Sequence, residues 1–456
     1  MNKKSLLLFL LSSSLLFSCS QNKENPEPPY EPYDDKPIVY NITYETSLFK
    51  ENGEAFNLNQ TLTYKDTFFD NSGLIYNQEL AEASLATTIT HYLKDDVTEL
   101  ITALGFKDLY TSPDYDKKLN KDSVCYIFGH KRLGNDTVFY IGISGFEYGA
   151  AWENNFIWDK TGNAIGFQSA SNKVKDAFMK YYKGHKTKTN KLWVTGYSRT
   201  AAIAGIMLEE LLDSNFIIEE RVYSYLFEAP AVMSKETVKE HPSIRNIINS
   251  RDFIVNAFPS KFGFIRPGVD IDIYLDNIDE IAVAYDSRLV CSTFTPVEGK
   301  YADEKELAVH LVSDVLAKDT DPEDPEVHNM ATREKYADYY QDAFGFVAGS
   351  IFSLKKETLN DIKDDFMALD MIGKLALLSG DSLYNFLKEE LDKNSEQYDD
   401  TRLHNTCSAL VTYLTDINPG ILSLITYTGL VDSALRTLQF HCFEVEMPLL
   451  IAYGKK

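Results

Sequence analysis

The sequence predicts an α/β fold, a mostly parallel sheet with helices on both faces, and three observations carry that expectation. Short, near-continuously apolar runs alternate with helical spacing through residues 123–249, and strands buried on both faces read as such runs. A glycine-preceded serine, Ser198, stands at the junction of one such run and a helix. An apolar fraction of 44 % over 456 residues supplies a core large enough to cover both faces.

Taken from the start, Lys3 and Lys4 precede an apolar stretch at residues 6–11, and Leu16, Phe17, Ser18 and Cys19 follow. That stretch falls short of the about 20 residues a membrane span needs, so residues 1–19 read as an export signal. Its last four residues resemble the bacterial lipobox, which implies acylation of Cys19 and an exported, lipid-anchored protein of the cell envelope. Ser20 follows Cys19 where an aspartate retention signal would stand, which favours the outer membrane.

Residues 20–37 are rich in proline and acid and read as an extended tether. Residues 38–340 are expected to form the α/β core and residues 341–456 a helical cap. The net charge of −23 lacks any offsetting basic stripe. Nucleic-acid binding is therefore not expected, and membrane attachment rests on the lipid alone. Cys125, Cys291, Cys407 and Cys442 show no C-x-x-C spacing, so neither a zinc knuckle nor a redox motif is suggested. Exported chains often carry disulfides, yet Cys125 and Cys291 lie in apolar sequence that equally suits free buried thiols.

Within the core, residues 42–44 and 62–64 suggest early strands. The spacing of Leu80, Leu85, Ile89, Leu93, Val97, Leu100 and Ile101 fits two helices closed by Gly105. Residues 123–129 and 137–143 read as strands joined by a hairpin connection at 131–136. A helix at 170–182, a strand at 191–195, a helix at 200–212 and strands at 221–227 and 244–249 follow. Beyond Tyr274 the pattern is mainly helical, with an acidic loop at 319–326.

Gly196, Tyr197, Ser198 and Arg199 lie between the strand KLWVT and the helix AAIAGIMLEELL. A tight strand-to-helix turn lifts such a serine to the sheet's edge, where the helix N-terminus and the N–H of Arg199 face a developing oxyanion. Two other G-x-S triplets, at Ser144 and Ser382, lack this context. The second, with Leu383, spells GDSL inside helical sequence and reads as an inter-helix turn. Thr200 stands where the elbow pattern has a second glycine.

Over residues 62–275 the chain resembles the class 3 lipases, and more closely a bacterial branch of lipase family proteins. The resemblance is carried by SVCYIFGH and TVFYIGIS, by WENNF at 152–156, by the elbow VTGYSRTAA, and by YLFEAPAV and NIINSRDFIVNAFP. It implies an α/β-hydrolase core and a serine hydrolase that needs no cofactor and no metal, acting on carboxylic esters such as lipids or acylglycerols.

The same resemblance implies Asp252 as the acid of a triad, and its place after a strand downstream of the serine suits that role. Asp270 and Asp272 are weaker alternatives. Where the family carries R-G-T after the second strand, this chain has Ile143, Ser144, Gly145 and Phe146. The N–H of Gly145 or Phe146 is the expected second oxyanion donor. His328, after a long loop and before a helix, is the favoured base, and His441, similar to a C-terminal histidine of the closer branch, is its rival. His310 and His404 sit in helical runs without such context. Two other readings stay open: a surface lipoprotein that binds without catalysis, which Thr200 and the altered loop favour, and an amidase or peptidase with the same triad.

Overall fold

The computed structural model describes residues 36–49, 55–118, 120, 122–144, 163–234, 238–250, 252, 254–255, 264–273, 291–294, 358, parts of 361–379, 380–412, 441 and 443–454. The chain enters as an antiparallel pair, β1 (Ile38–Phe49) and β2 (Ala55–Tyr64). Helices α1 (Gln78–Thr90) and α2 (Lys94–Ala103) follow. Asn77 caps α1, its side chain accepting the Leu80 N–H at 3.0 Å, which satisfies one of the orphan donors at a helix start. Gly105 ends the pair at φ 86°, a left-handed turn that glycine takes without a Cβ penalty.

Strands β3 (Lys107–Thr111), β4 (Cys125–Leu133) and β5 (Asp136–Ser144) form an antiparallel run. The expected hairpin connection is tighter than its sequence suggests. Leu133 pairs with Asp136, so Gly134 at φ 59° and Asn135 make the turn alone. Helix α3 (Ile165–His185) leads into β6 (Thr189–Tyr197), then α4 (Arg199–Asp213), β7 (Val222–Phe227), β8 (Met233–Ser234), β9 (Arg245–Ile248), β10 (Phe264–Ile265) and β11 (Val269–Asp272). β12 (Cys291–Phe294) joins β2, a strand in a stretch expected to be mainly helical. Its four residues are too few to show a period against the surrounding sequence. Helices α5 (Gly380–Lys393), α6 (Asp400–Thr412) and α7 (Phe443–Tyr453) complete the described chain. The GDSL segment is the first turn of α5, capped by Ser379, and not an inter-helix turn.

Seven strands make the central sheet in the order β11-β9-β7-β6-β5-β4-β3. From β5 through β11 every pair is parallel, and β4 and β3 add an antiparallel edge. This is the mostly parallel α/β architecture expected. Residue alternation sorts the two faces. Tyr140, Trp193, Tyr223 and Tyr225 point to one side and join a core with α1, α2, α7, β1 and β2. Phe139, Leu192, Val194 and Leu226 point to the other and pack against α3 and α4.

The aromatic side carries polar groups that need partners in the dry interior. Trp193 Nε1–H donates to Ser84 Oγ at 2.8 Å, and Thr195 Oγ1 donates to the Ser84 carbonyl at 3.2 Å. Helix α7, in the stretch expected to form a cap, packs into this face with Met447, Leu449, Leu450 and Ile451 buried. Gln78 of α1 fixes it by donating to the Leu450 carbonyl at 2.7 Å. The expected boundary at 340 lies outside the described residues. Cys125 and Cys407 are buried and outside any disulfide. No helix among the described residues is long and apolar enough to cross a membrane.

Candidate active site

Strand β6 ends at Tyr197 and helix α4 begins at Arg199, so Ser198 alone makes the turn, at φ 56° and ψ −127°. A serine held there costs about 1–3 kcal/mol, so neighbouring bonds must impose it. The Ser198 N–H donates to the Phe227 carbonyl of β7 at 2.8 Å, and the Ala202 N–H donates to the Ser198 carbonyl at 3.2 Å. Gly196 is required by contact. A Cβ there would meet the backbone of Thr200 and Ala201 at 2.9 Å.

Thr200 takes on a role that its departure from the glycine pattern does not suggest. Its Oγ1 accepts the Tyr197 N–H at 3.1 Å and donates to the Tyr197 carbonyl at 2.8 Å. The hydroxyl thus closes both backbone groups of the residue before Ser198. The strand-to-helix turn is clamped rather than loosened.

Asp252 follows β9 and is wholly buried. Its N–H donates to the Asn249 carbonyl at 2.9 Å, and its Oδ1 accepts the Ile254 N–H at 2.8 Å. The other oxygen, Oδ2, faces His441 Nδ1 at 2.5 Å, and His441 Nε2 stands 2.6 Å from Ser198 Oγ. A carboxylate only accepts, so Nδ1 carries the proton and Nε2 is left to accept the Ser198 hydroxyl. His441 is positioned from the C-terminal segment, two residues before α7. Its carbonyl accepts the Tyr197 hydroxyl at 3.2 Å, and its ring meets the Tyr197 ring edge-on at 5.5 Å. With 9 % of its side chain exposed, the imidazole is shielded on most sides.

Of the residues singled out in the sequence, Ser198, Asp252 and His441 come together, and Arg199 takes the first position of α4. The Arg199 guanidinium lies over the Phe167 ring at 5.5 Å. His328, the favoured base, lies outside the described residues, as do His310, Gly145, Phe146 and Cys19. His404 of α6 instead meets Asp381 at 2.9 Å on the surface. Asp270 is taken up by Arg266, whose Nη2 donates at 2.6 Å, and Asp272 accepts the Ser250 N–H at 3.1 Å.

Three residues near the site were not singled out in the sequence. His91 is buried under the end of β5, with Nδ1 3.3 Å from the Ile143 carbonyl and Nε2 2.6 Å from the Tyr140 hydroxyl. Burial lowers its pKa to about 4, against the raising effect of the Ile143 carbonyl, so it is neutral at physiological pH. Gly142 gives it room, since a Cβ there would lie 2.5 Å from Nε2. A neutral histidine therefore props the strand that leads into residues 145 and 146.

The other two are Glu228, directly after β7, and Glu446 on α7, both with 0 % exposure. Burial, then the nearby Glu446 and Asp252, hold the Glu228 carboxyl well above the usual range. Glu446 is pushed up to about 8, by burial first, with the charges of Asp252 and Asp272 adding to it and a hydrogen bond from Glu228 opposing. The signal was present in the sequence as acids inside the apolar runs YLFEAPAV and VEMPLLIAY.

One ligand atom each from Glu228, Asp252 and His441 lie within 4.8 Å of one another. Both ring nitrogens of His441 are already engaged, so a metal there would break the contacts to Ser198 and Asp252. Asp108, His130 and His185 form a second group with ligand spacing. It lies on β3, β4 and the end of α3. His130 Nδ1 is there committed to the Tyr181 hydroxyl at 3.0 Å.

Residues 144–262 match the family model described as lipase (class 3). Among solved structures the chain is similar to the lipase of Rhizopus microsporus var. chinensis, at 15 % identity over 46 % of this chain and 75 % of that one, with a TM-score of 0.33. It is also similar to lipase II from Rhizopus niveus, at 16 % identity over 42 % and 78 % of the two chains, TM-score 0.31. The triacylglyceride lipase of Rhizomucor miehei gives 19 % identity over 44 % and 82 %, TM-score 0.31. Comparison with curated protein sequences finds no match. A lipase-like segment thus carries Ser198 and Asp252, and His441 reaches them from outside it.

Proposed function

We propose that this chain is a serine hydrolase of carboxylic esters, with lipid or acylglycerol-like substrates, in which Ser198 is the nucleophile, His441 the base and Asp252 the orienting acid. The observation that carries the reading is the unbroken contact from Ser198 Oγ through His441 to Asp252 Oδ2. Ser198 Oγ attacks the ester carbonyl as its proton passes to His441 Nε2. Asp252 stabilises the imidazolium that forms without taking the proton itself. The N–H of Arg199, at the start of α4, and one from residues 145–146 receive the oxyanion. His441 then protonates the departing alcohol, and water repeats the sequence on the acyl-enzyme. Every step is supplied by side chains and backbone, so no cofactor enters.

The clamp at Thr200 supports catalysis over a binding module, because it fixes the turn that a nucleophile needs. Cleavage of esters and of amides by the same three residues is separated by comparing matched substrates. The N-terminal sequence through Cys19 completes the reading as export and lipid anchoring in the cell envelope. The test is hydrolysis of p-nitrophenyl esters from acetate to palmitate by the purified protein beside Ser198→Ala, His441→Ala and His328→Ala. Activity lost in the first two and kept in the third supports the assignment. Loss in His328→Ala with retention in His441→Ala transfers the base to His328. Equal background rates in all four, with no fluorophosphonate labelling, sink the hydrolase reading.

A further inference from the structure

Beside Asp252 the two acids Glu228 and Glu446 are wholly buried, and a Glu228 oxygen lies within 4.8 Å of both an Asp252 oxygen and a His441 ring nitrogen. Glu228 Oε1 accepts the Asn249 N–H at 2.9 Å. With both acids ionised, Glu228 Oε2 and both oxygens of Glu446 meet no donor among the described residues. Three buried carboxylate oxygens without a donor are strongly unfavourable as anions. A proton held between the carboxyls removes most of that cost, because a protonated acid becomes a donor.

We infer that Glu228 and Glu446 are positioning residues for hydrolysis, a proton-sharing carboxyl pair that donates toward Asp252 and holds it as a single fixed anion against His441. The inference rests on the reading of Ser198, His441 and Asp252 as the hydrolytic machinery.

Their placement is what gives the pair this reach. Glu228 follows β7, the strand whose last carbonyl accepts the Ser198 N–H. Glu446 rides on α7, the helix that begins two residues after His441. The pair therefore ties the strand beside the nucleophile's to the base's helix, with Asp252 close by. The titratable groups facing Glu446 are Glu228, Asp252 and Asp272, and those facing Glu228 are Glu446, Asp252 and His441. Apart from His441 all are acids, so no permanent cation among them offsets a lost proton.

Below the alkaline range the pair keeps its proton and adds a donor to those that Asp252 already has in His441 and the Ile254 N–H. When the proton leaves, a second anion faces Asp252 at close range in low dielectric, where like charges repel strongly. Asp252 is then pushed from its place, and the base loses its orientation. The raised position of Glu446, about 8, puts that loss just above neutrality.

The test is kcat and KM for a soluble ester across pH 5.5 to 10 in the full protein and four variants, the pH limits being about the working range of such assays. Glu228→Leu, which has no donor, is expected to lower kcat about tenfold with KM changed less than about twofold. Glu228→Gln, whose amide still donates, restores most of that loss. The double variant Glu228→Gln with Glu446→Gln cannot titrate, and its kcat is expected to hold about one pH unit or more further into the alkaline range. Unchanged kcat in Glu228→Leu, or an alkaline limb in the double variant that coincides with the parent's, overturns the inference. Ser198→Ala keeps the two claims apart. If it hydrolyses as fast as the parent, the hydrolase reading fails instead. Circular dichroism melts of each variant show that the comparison is made between folded proteins.

Discussion

Ser198 and Glu228 occupy equivalent places at the ends of adjacent parallel strands, β6 and β7, and the chain treats them in opposite ways. Both are non-glycine residues in the left-handed region, at φ 56° and 50°. Each is pinned by its N–H donating to the neighbouring strand, Ser198 to Phe227 and Glu228 to Ile247, at 2.8 and 2.9 Å. Ser198 turns its hydroxyl to His441, whereas Glu228 turns its carboxyl into the closed interior. The same backbone device thus serves reactivity in one strand and support in the next. Strained conformations persist where surrounding contacts over-determine them, and here they gather at the C-terminal ends of parallel strands, where open α/β sheets place their sites.

The comparison can be broken most sharply at Ser198. Ser198→Gly removes the proposed nucleophile but relieves the backbone, so hydrolysis is expected to fall about 10⁴-fold or more. The unfolding midpoint in denaturant stays level or rises. A lower midpoint would mean that the turn carries no strain. Asp252→Asn puts an amide against Nδ1, and the wrong tautomer of His441 lowers kcat about 10⁴-fold. Recovery of rate at high pH in that variant would argue against this role of the carboxylate.

Smaller effects sharpen the contrast in support. Thr200→Val deletes the two bonds around Tyr197 and is expected to cost about 1–2 kcal/mol in chemical denaturation. Activity follows only by a few-fold, because the functional groups remain. No stability change would show the clamp to be incidental.

The pH dependence of stability gives the smallest and broadest signal. Glu446 has a raised folded pKa of about 8, so its contribution is fully present below its unfolded value near 4.5 and is lost as pH rises to about 8. His91 has a lowered pKa of about 4, so its contribution is present above its unfolded value near 6.5 and is lost as pH falls toward 4. Thermal melts of Glu446→Gln should lose less stability between pH 5 and pH 8 than the parent. Parallel curves would place the buried carboxyl outside this linkage.

The sheet was readable in the sequence because its strands are apolar on both faces and its helices keep a 3.6-residue period. Ser198 was readable from local context alone, a strand, a single-residue turn and a helix within one short segment. Asp252 came from the family resemblance, and its place after a downstream strand agreed with it. The base was not readable in this way. His328 and His441 each satisfy a local pattern, and what brings His441 to Ser198 is the docking of α7 against α1, a contact between segments far apart in the chain. The two buried glutamates and the threonine clamp escaped for a related reason. An acid in an apolar run reads as an exposed interruption until a second acid is seen to face it. Thr200 was weighed against a pattern of small residues, and its value lies in two bonds to a neighbour's backbone.

His441 stands 243 residues from Ser198 and 189 from Asp252 along the chain. A growing polypeptide that has already formed the Ser198 turn and the Asp252 corner still has an unassisted hydroxyl. Closing so wide a loop is entropically unfavourable until the apolar side of α7 is seated. On the proposed assignment Ser198 is therefore armed only after residues 441–453, made long after it, have docked. An arrest or truncation before residue 441 leaves a chain able to build most of the sheet yet chemically silent. On that assignment, turnover reports that residues 441–453 have been made and have docked.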